Sequence, residues 1–84
     1  MKLTKTFPVT IFSPFHTYYK GPALAVSAEN SSGAFDILAK HEDFLSILTP
    51  CTVVVRTPKG KEEIPLQKGI IQVNNSTVWL FANV

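Results

Sequence analysis

The side chains in this chain able to carry nucleophilic, acid–base or metal chemistry are few: His16, His41, Cys51, Asp36, the neighbours Glu42 and Asp43, and the pair Glu62-Glu63. A nucleophile needs a base held beside it, and neither histidine sits in a motif that supplies one. Cys51 follows Pro50 in an apolar stretch and reads as a small buried hydrophobe. Neither a G-x-S-x-G, a Walker-type glycine loop nor an H-E-x-x-H occurs. Glu62 and Glu63 are adjacent on an expected strand, so they point to opposite faces and do not form an acid–base couple. Glu42 and Asp43 read as negative charge at the start of a short helix. Asp36, His41 and Glu42 lack the fixed spacing of a metal set. The chain therefore reads as non-enzymatic, with no catalytic residues and no metal or cofactor.

Eighty-four residues make one domain with a single core. With 45% hydrophobic and 17% charged residues the composition is that of a folded globule, not a disordered tail. A net charge of +2, spread thinly, argues against nucleic acid as a partner and against direct attachment to a membrane surface. One cysteine excludes an internal disulfide and fits a reducing, cytoplasmic setting. No run approaches the roughly 20 apolar residues of a membrane helix, and Lys2 and Lys5 lack the apolar stretch of a signal peptide behind them. Any membrane association is expected to be indirect. Asn30-Ser31-Ser32 and Asn75-Ser76-Thr77 match a glycosylation triplet but read as turns.

Around these residues almost every segment has period two. Phe7, Val9 and Ile11 alternate along a first strand closed by Ser13-Pro14. Tyr18 and Tyr19 lead to Gly21-Pro22, and a second strand opens at Leu24. Residues 29–33 form a turn, and Phe35, Ile37 and Leu38 follow as a short apolar run. Phe44, Leu45 and Leu48, at i, i+1 and i+4, predict the one short helical piece, over 41–48, stopped by Pro50. Thr52 to Arg56 is a β-branched strand. Thr57-Pro58-Lys59-Gly60 is a type I turn, Lys68-Gly69 another turn, and Asn74-Asn75 a two-residue hairpin loop. Such spacing predicts an all-β fold, a sandwich or barrel. Its core is expected to contain Ile11, Val26, Phe35, Ile37, Val53, Val55, Ile71, Val73, Val78 and Leu80. Trp79 and Phe81 fall on the opposite face of the last strand as an exposed apolar patch.

One block is more specific. Gly33-Ala34-Phe35-Asp36-Ile37-Leu38-Ala39-Lys40-His41, followed by Phe44-Leu45, resembles the G-x-F-G-I-L-P-x-H-x-x-x-L stretch of the epsilon subunit of F-type ATP synthases, called delta in mitochondria. Ser13-Pro14 and Gly21 resemble that family's first turn and the glycine opening its second strand. Leu48 to Pro50 resembles its L-x-P-G step, Lys59 to Glu62 its D-G-x-E-like hairpin, residues 69–73 its G-G-x-x-E-V strand, and residues 78–82 its V-T-V-L-A strand. There are departures: Asp36 stands where glycine is usual, Ala39 where proline is, Cys51 and Lys68 where glycines are, and Ala34 where Glu is frequent.

The resemblance implies a flattened antiparallel sandwich of two roughly five-stranded sheets over residues 1–84, without the helical hairpin that usually follows. It also implies a function: a non-catalytic central-stalk subunit joining gamma to the c-ring, peripheral on the inner face of the plasma membrane. The ring-facing region is then Asn30, Ser31, Ser32, Gly33, Ala34, Phe35, Asp36, Lys40 and His41, and the gamma-facing patch Trp79 and Phe81. An acidic contact from position 34 is missing, with Asp36 nearby. The rival reading is a stand-alone sandwich binding a carbohydrate or other small ligand on Trp79, Tyr18 and Tyr19.

Overall fold

The computed structural model describes residues 5–83. They form nine strands: β1 (Phe7–Ser13), β2 (His16–Ala23), β3 (Ala25–Asn30), β4 (Gly33–Leu38), β5 (Phe44–Leu48), β6 (Cys51–Thr57), β7 (Gly60–Leu66), β8 (Gly69–Asn74) and β9 (Thr77–Ala82). The alternation that predicted strands is the alternation of burial. Phe7, Val9 and Ile11 on β1, Gly69, Ile71 and Val73 on β8, and Val78, Leu80 and Ala82 on β9 all face inward. Every expected core residue is buried except Phe35, which is half-buried against the core's margin. No polar or charged side chain is buried among the described residues, so the core carries no unsatisfied hydrogen-bonding group.

Hydrogen bonding runs along the path β2-β1-β9-β8-β5-β3-β6-β7, with β4 attached to the side of β3. The fold is the expected all-β sandwich, flattened to 33 × 26 × 20 Å. Its two layers are one nearly closed sheet, because β3 spans both: residues 25–27 pair with β6 while Asn30 pairs with Leu48 of β5. One pair, β1 with β9, is parallel, with Val9 opposite Val78 and Ile11 opposite Leu80.

Short loops set the register. Asn30 Oδ1 accepts from Ser32 N (2.9 Å) and shapes the β3–β4 turn, after which Gly33 takes φ 120°, open to glycine and costly for others. Thr57 Oγ1 accepts from Lys59 N (3.1 Å) across the Pro58-Lys59 loop. In the β8–β9 hairpin Asn74 pairs with Thr77, so the two loop residues are Asn75 and Ser76, at φ 52° and 62°. The loop is one residue later than Asn74-Asn75, and its two left-handed residues are those of a type I′ turn, whose twist matches the flanking strands.

Three expectations are corrected. The helix over 41–48 is absent: residues 44–48 are β5, paired along its length with β8. Leu48 is buried and Phe44 and Ser46 half-buried, while Leu45 and Ile47 are 67% and 74% exposed. A two-turn helix has too few internal bonds to persist, and strand pairing satisfies the backbone instead. Asp43 is accordingly no helix cap; its Oδ1 accepts from Asn75 N at 2.9 Å and braces the neighbouring hairpin. Finally, Tyr18 and Tyr19 lie within a full strand, β2, that pairs with β1 through a bulge where Tyr18 has no partner. That bulge breaks the alternation and hid the strand.

The strand parity of β5 is directly measurable. Leu48→Ala should cost about 2–5 kcal/mol in urea unfolding, whereas Leu45→Ala should change stability by less than about 0.5 kcal/mol. A helix placing 44, 45 and 48 on one face would penalise both.

Candidate functional site

Outward residues of β1, β9, β8 and β5 lie in register across four strands. One row runs Phe12, Phe81, Ile70, Ile47; the next runs Thr10, Trp79, Gln72, Leu45. Phe12 and Phe81 stack with centroids 5.0 Å apart. Trp79 is 47% and Ile70 40% exposed, and with Leu45 and Ile47 they make a contiguous apolar surface. Neither row contains a charge; Lys20, paired with Thr10, stands at the rim. Scattered exposed hydrophobes are normal; here four exposed ones and the half-buried Phe12 and Phe81 gather on one sheet face, as apolar patches at interaction sites do. The expected patch, Trp79 and Phe81, lies at its centre. Phe12, Leu45, Ile47 and Ile70 were not singled out from the sequence. The available signal was Phe12, out of phase with the core set Phe7, Val9 and Ile11.

The second surface is the β3–β4 hairpin with the segment that follows it. Asn30 Nδ2 donates to Ser46 Oγ (3.0 Å), tying the turn to β5. Ala34 and Asp36 are exposed on the outer side of β4, and Asp36 Oδ1 accepts from Ser27 Oγ at 2.6 Å. Phe35 points the other way and meets Phe44 edge-on at 5.9 Å. Lys40, left-handed at φ 64°, reverses the chain so that the His41 ring comes to 5.1 Å from Phe44, with Nδ1 at 2.9 Å from the Glu42 carbonyl oxygen. The nine residues expected to act together are therefore gathered around one hairpin, but Phe35 serves packing. Asp36, His41 and Glu42 do not converge, and no three His, Cys, Asp or Glu side chains do among the described residues.

The stacking platform of the rival reading is not assembled. Trp79 borders an open groove of about 440 Å³ with Phe12, Phe15 and His16, while Tyr19 borders a separate one of about 320 Å³ with Pro22, Pro58 and Glu62. Tyr18 turns elsewhere, accepting from Asn83 Nδ2 at 3.4 Å.

Residues 6–84 match the model of the family described as ATP synthase, Delta/Epsilon chain, beta-sandwich domain. The chain belongs to this family. Similar Delta/Epsilon relatives include the ATP synthase epsilon chain of Vesicomyosocius okutanii, 37% identical over 78 residues, which are 93% of this chain and 56% of the relative. That of Clostridium novyi is 34% identical over 77 residues, 90% of this chain and 59% of the relative. The chain thus spans little more than half the length of these relatives. The fold also matches a chain in the Euglena gracilis mitochondrial ATP synthase OSCP/F1/c-ring structure, at TM-score 0.85 and 20% identity over 98% of this chain and 53% of that one. A chain in the Tetrahymena thermophila mitochondrial ATP synthase central stalk and c-ring matches at TM-score 0.81 and 16% identity, over 99% and 67%.

Burial, and secondarily the Glu62 carboxylate, raise the Tyr19 phenol above its ordinary 10.0. Its OH donates to the Pro22 carbonyl at 2.5 Å. A phenol that holds its proton longer when folded contributes stability fully below pH 10.0, and that contribution disappears as pH rises through the raised value. Thermal unfolding followed from about pH 8 to about pH 11 should show an alkaline loss of stability that Tyr19→Phe makes shallower.

Proposed function

We propose that this chain is a non-catalytic central-stalk subunit of an ion-translocating F-type ATP synthase, a rigid piece joining the gamma subunit to the c-ring. Family membership supports the reading, and the observation that carries it is the uncharged apolar face on β1, β9, β8 and β5. Trp79 and Phe81 are the central anchors toward gamma, with Leu45, Ile47 and Ile70 around them. The β3–β4 hairpin, from Asn30 to Gly33 with Ala34 and Asp36, and the returning Lys40 and His41 face the ring. Attachment to the inner face of the plasma membrane is then wholly through the ring.

Torque transmission asks for stiffness, not chemistry. A nearly closed hydrogen-bonded sheet over a close-packed apolar core resists deformation, because a change in shape would break ladder bonds or open voids. The two surfaces are built on different strands, so two partners can grip the sandwich at once.

Co-expression with the cognate gamma subunit, followed by gel filtration, should give a co-eluting complex. Trp79→Ala should weaken it by about 2 kcal/mol or more, and Ile47→Asp should abolish it while leaving the free domain folded. A well-folded wild-type chain that never co-elutes with gamma overturns the proposal. A tryptophan fluorescence shift with sugars or nucleotides, and none with gamma, favours the small-ligand reading instead.

A further inference from the structure

Apart from β5, whose edge away from β8 is paired only at Leu48, three strands have an edge that no described residue pairs: β2, β7 and β4. A free edge offers a row of unpaired N–H and C=O groups, and folded proteins blunt such rows with lysine, proline, charge or bulges. Which groups face outward follows from the hairpins, since alternate residues of an antiparallel pair turn their backbone polar groups toward and away from the partner. On β7, paired with β6 from the Thr57–Gly60 turn, the outward residues are Lys61, Glu63 and Pro65. Lys61 and Glu63 form an ion pair at 3.5 Å, and Pro65 has no N–H to offer. On β2 the outward positions include Lys20 and Pro22, beyond the bulge at Tyr18. Both edges are blocked.

The β4 edge is not. Glu29, opposite Ala34, gives its carbonyl to Thr49 N (3.1 Å) on the far side of β3, so in that pair the backbone groups point apart. Ala34, Asp36 and Leu38 therefore direct their N–H and C=O away from β3, and all three are exposed. Among them are no proline, no lysine and no bulge. The only charge is the Asp36 carboxylate, which accepts from Ser27 and has no cationic partner among the described residues.

We infer that the β4 edge is a strand-addition site: it takes an extended segment of a partner protein, antiparallel to residues 34–38, with a lysine or arginine opposite Asp36 and apolar residues opposite Ala34 and Leu38. A second copy of this chain does not fit. The self-pairing that engages all three outward residues on both copies places Asp36 against Asp36, and like charges directly opposite are destabilising. Ala34 and Asp36 also belong to the hairpin proposed above to face the ring, so the edge is tested on the free chain, where the outcome does not depend on that assignment.

The probe is acetyl-Thr-Leu-Thr-Lys-Thr-Val-Thr-amide, titrated into isotope-labelled protein and followed by amide NMR and hydrogen exchange. The amides of Ala34, Asp36 and Leu38 should exchange quickly in the free protein, then shift and become protected with peptide. Asp36→Lys should weaken this peptide by about three- to tenfold and reverse the preference toward the same peptide with Glu in place of Lys. Leu38→Pro removes an outward N–H without touching the β3 ladder and should weaken binding about tenfold, with β3 amide shifts unchanged. The inference is overturned if these amides are already protected in the free chain, if the protein dimerises through β4, or if the peptide leaves them unshifted. It is also overturned if Asp36→Lys leaves the charge preference as it was, or if Leu38→Pro binds as the parent does.

Discussion

The parallel ladder between β1 and β9 is the constraint on which the rest of the molecule depends. It joins the first and last described strands inside one layer, between β2 and β8, and its register places Val9 beside Val78 and Ile11 beside Leu80, four fully buried side chains. The same register sets Thr10 beside Trp79 and Phe12 beside Phe81 on the other face. Since side chains alternate strictly along a strand, a slip of one residue would exchange the two sets and expose the core. Core and apolar surface are two readings of one alignment, and neither can be altered without the other.

From that alignment the sandwich grows outward by short hairpins on the β1–β2 and β8–β9 sides, and passes from one layer into the other at β3, which pairs with both β5 and β6. The loops are short because their residues supply the needed backbone shapes: Gly33, then Asn75 and Ser76. Asp43 reaches from the end of one loop to fix another. The same ties that fix the loops hold the exposed apolar face and the exposed β3–β4 hairpin in place.

Much of this was legible in the sequence. Period-two alternation located most strands, the β-branched run at 52–56, the turn at Thr57–Gly60 and nine of the ten expected core residues. The failures share a physical cause. Residues 44–48 looked helical because Leu45 and Ile47 are apolar although they face out, which erased the polar half of the strand pattern; the exposed apolar face and the misread element are one fact. At β2, the bulge at Tyr18 shifted the phase in mid-strand. The hairpin at 75–76 was displaced by one residue because Asn74 and Asn75 tolerate left-handed backbone equally well, and only the pairing of Asn74 with Thr77 decides between them. The surfaces were only half legible: Trp79 and Phe81 stand out in the strand where they lie, while Phe12, Ile47 and Ile70 join them across strands that no linear pattern connects.

Placing β1 and β9 side by side in the same direction also has a mechanical consequence. The start of β1 and the end of β9 lie at opposite ends of their shared ladder. Tension applied between those two points runs along the strands and loads the bonds of the pair together in shear, where an antiparallel arrangement would let them peel apart one after another. A pull between the start of β1 and the end of β9 therefore meets a part of the sheet that resists unzipping.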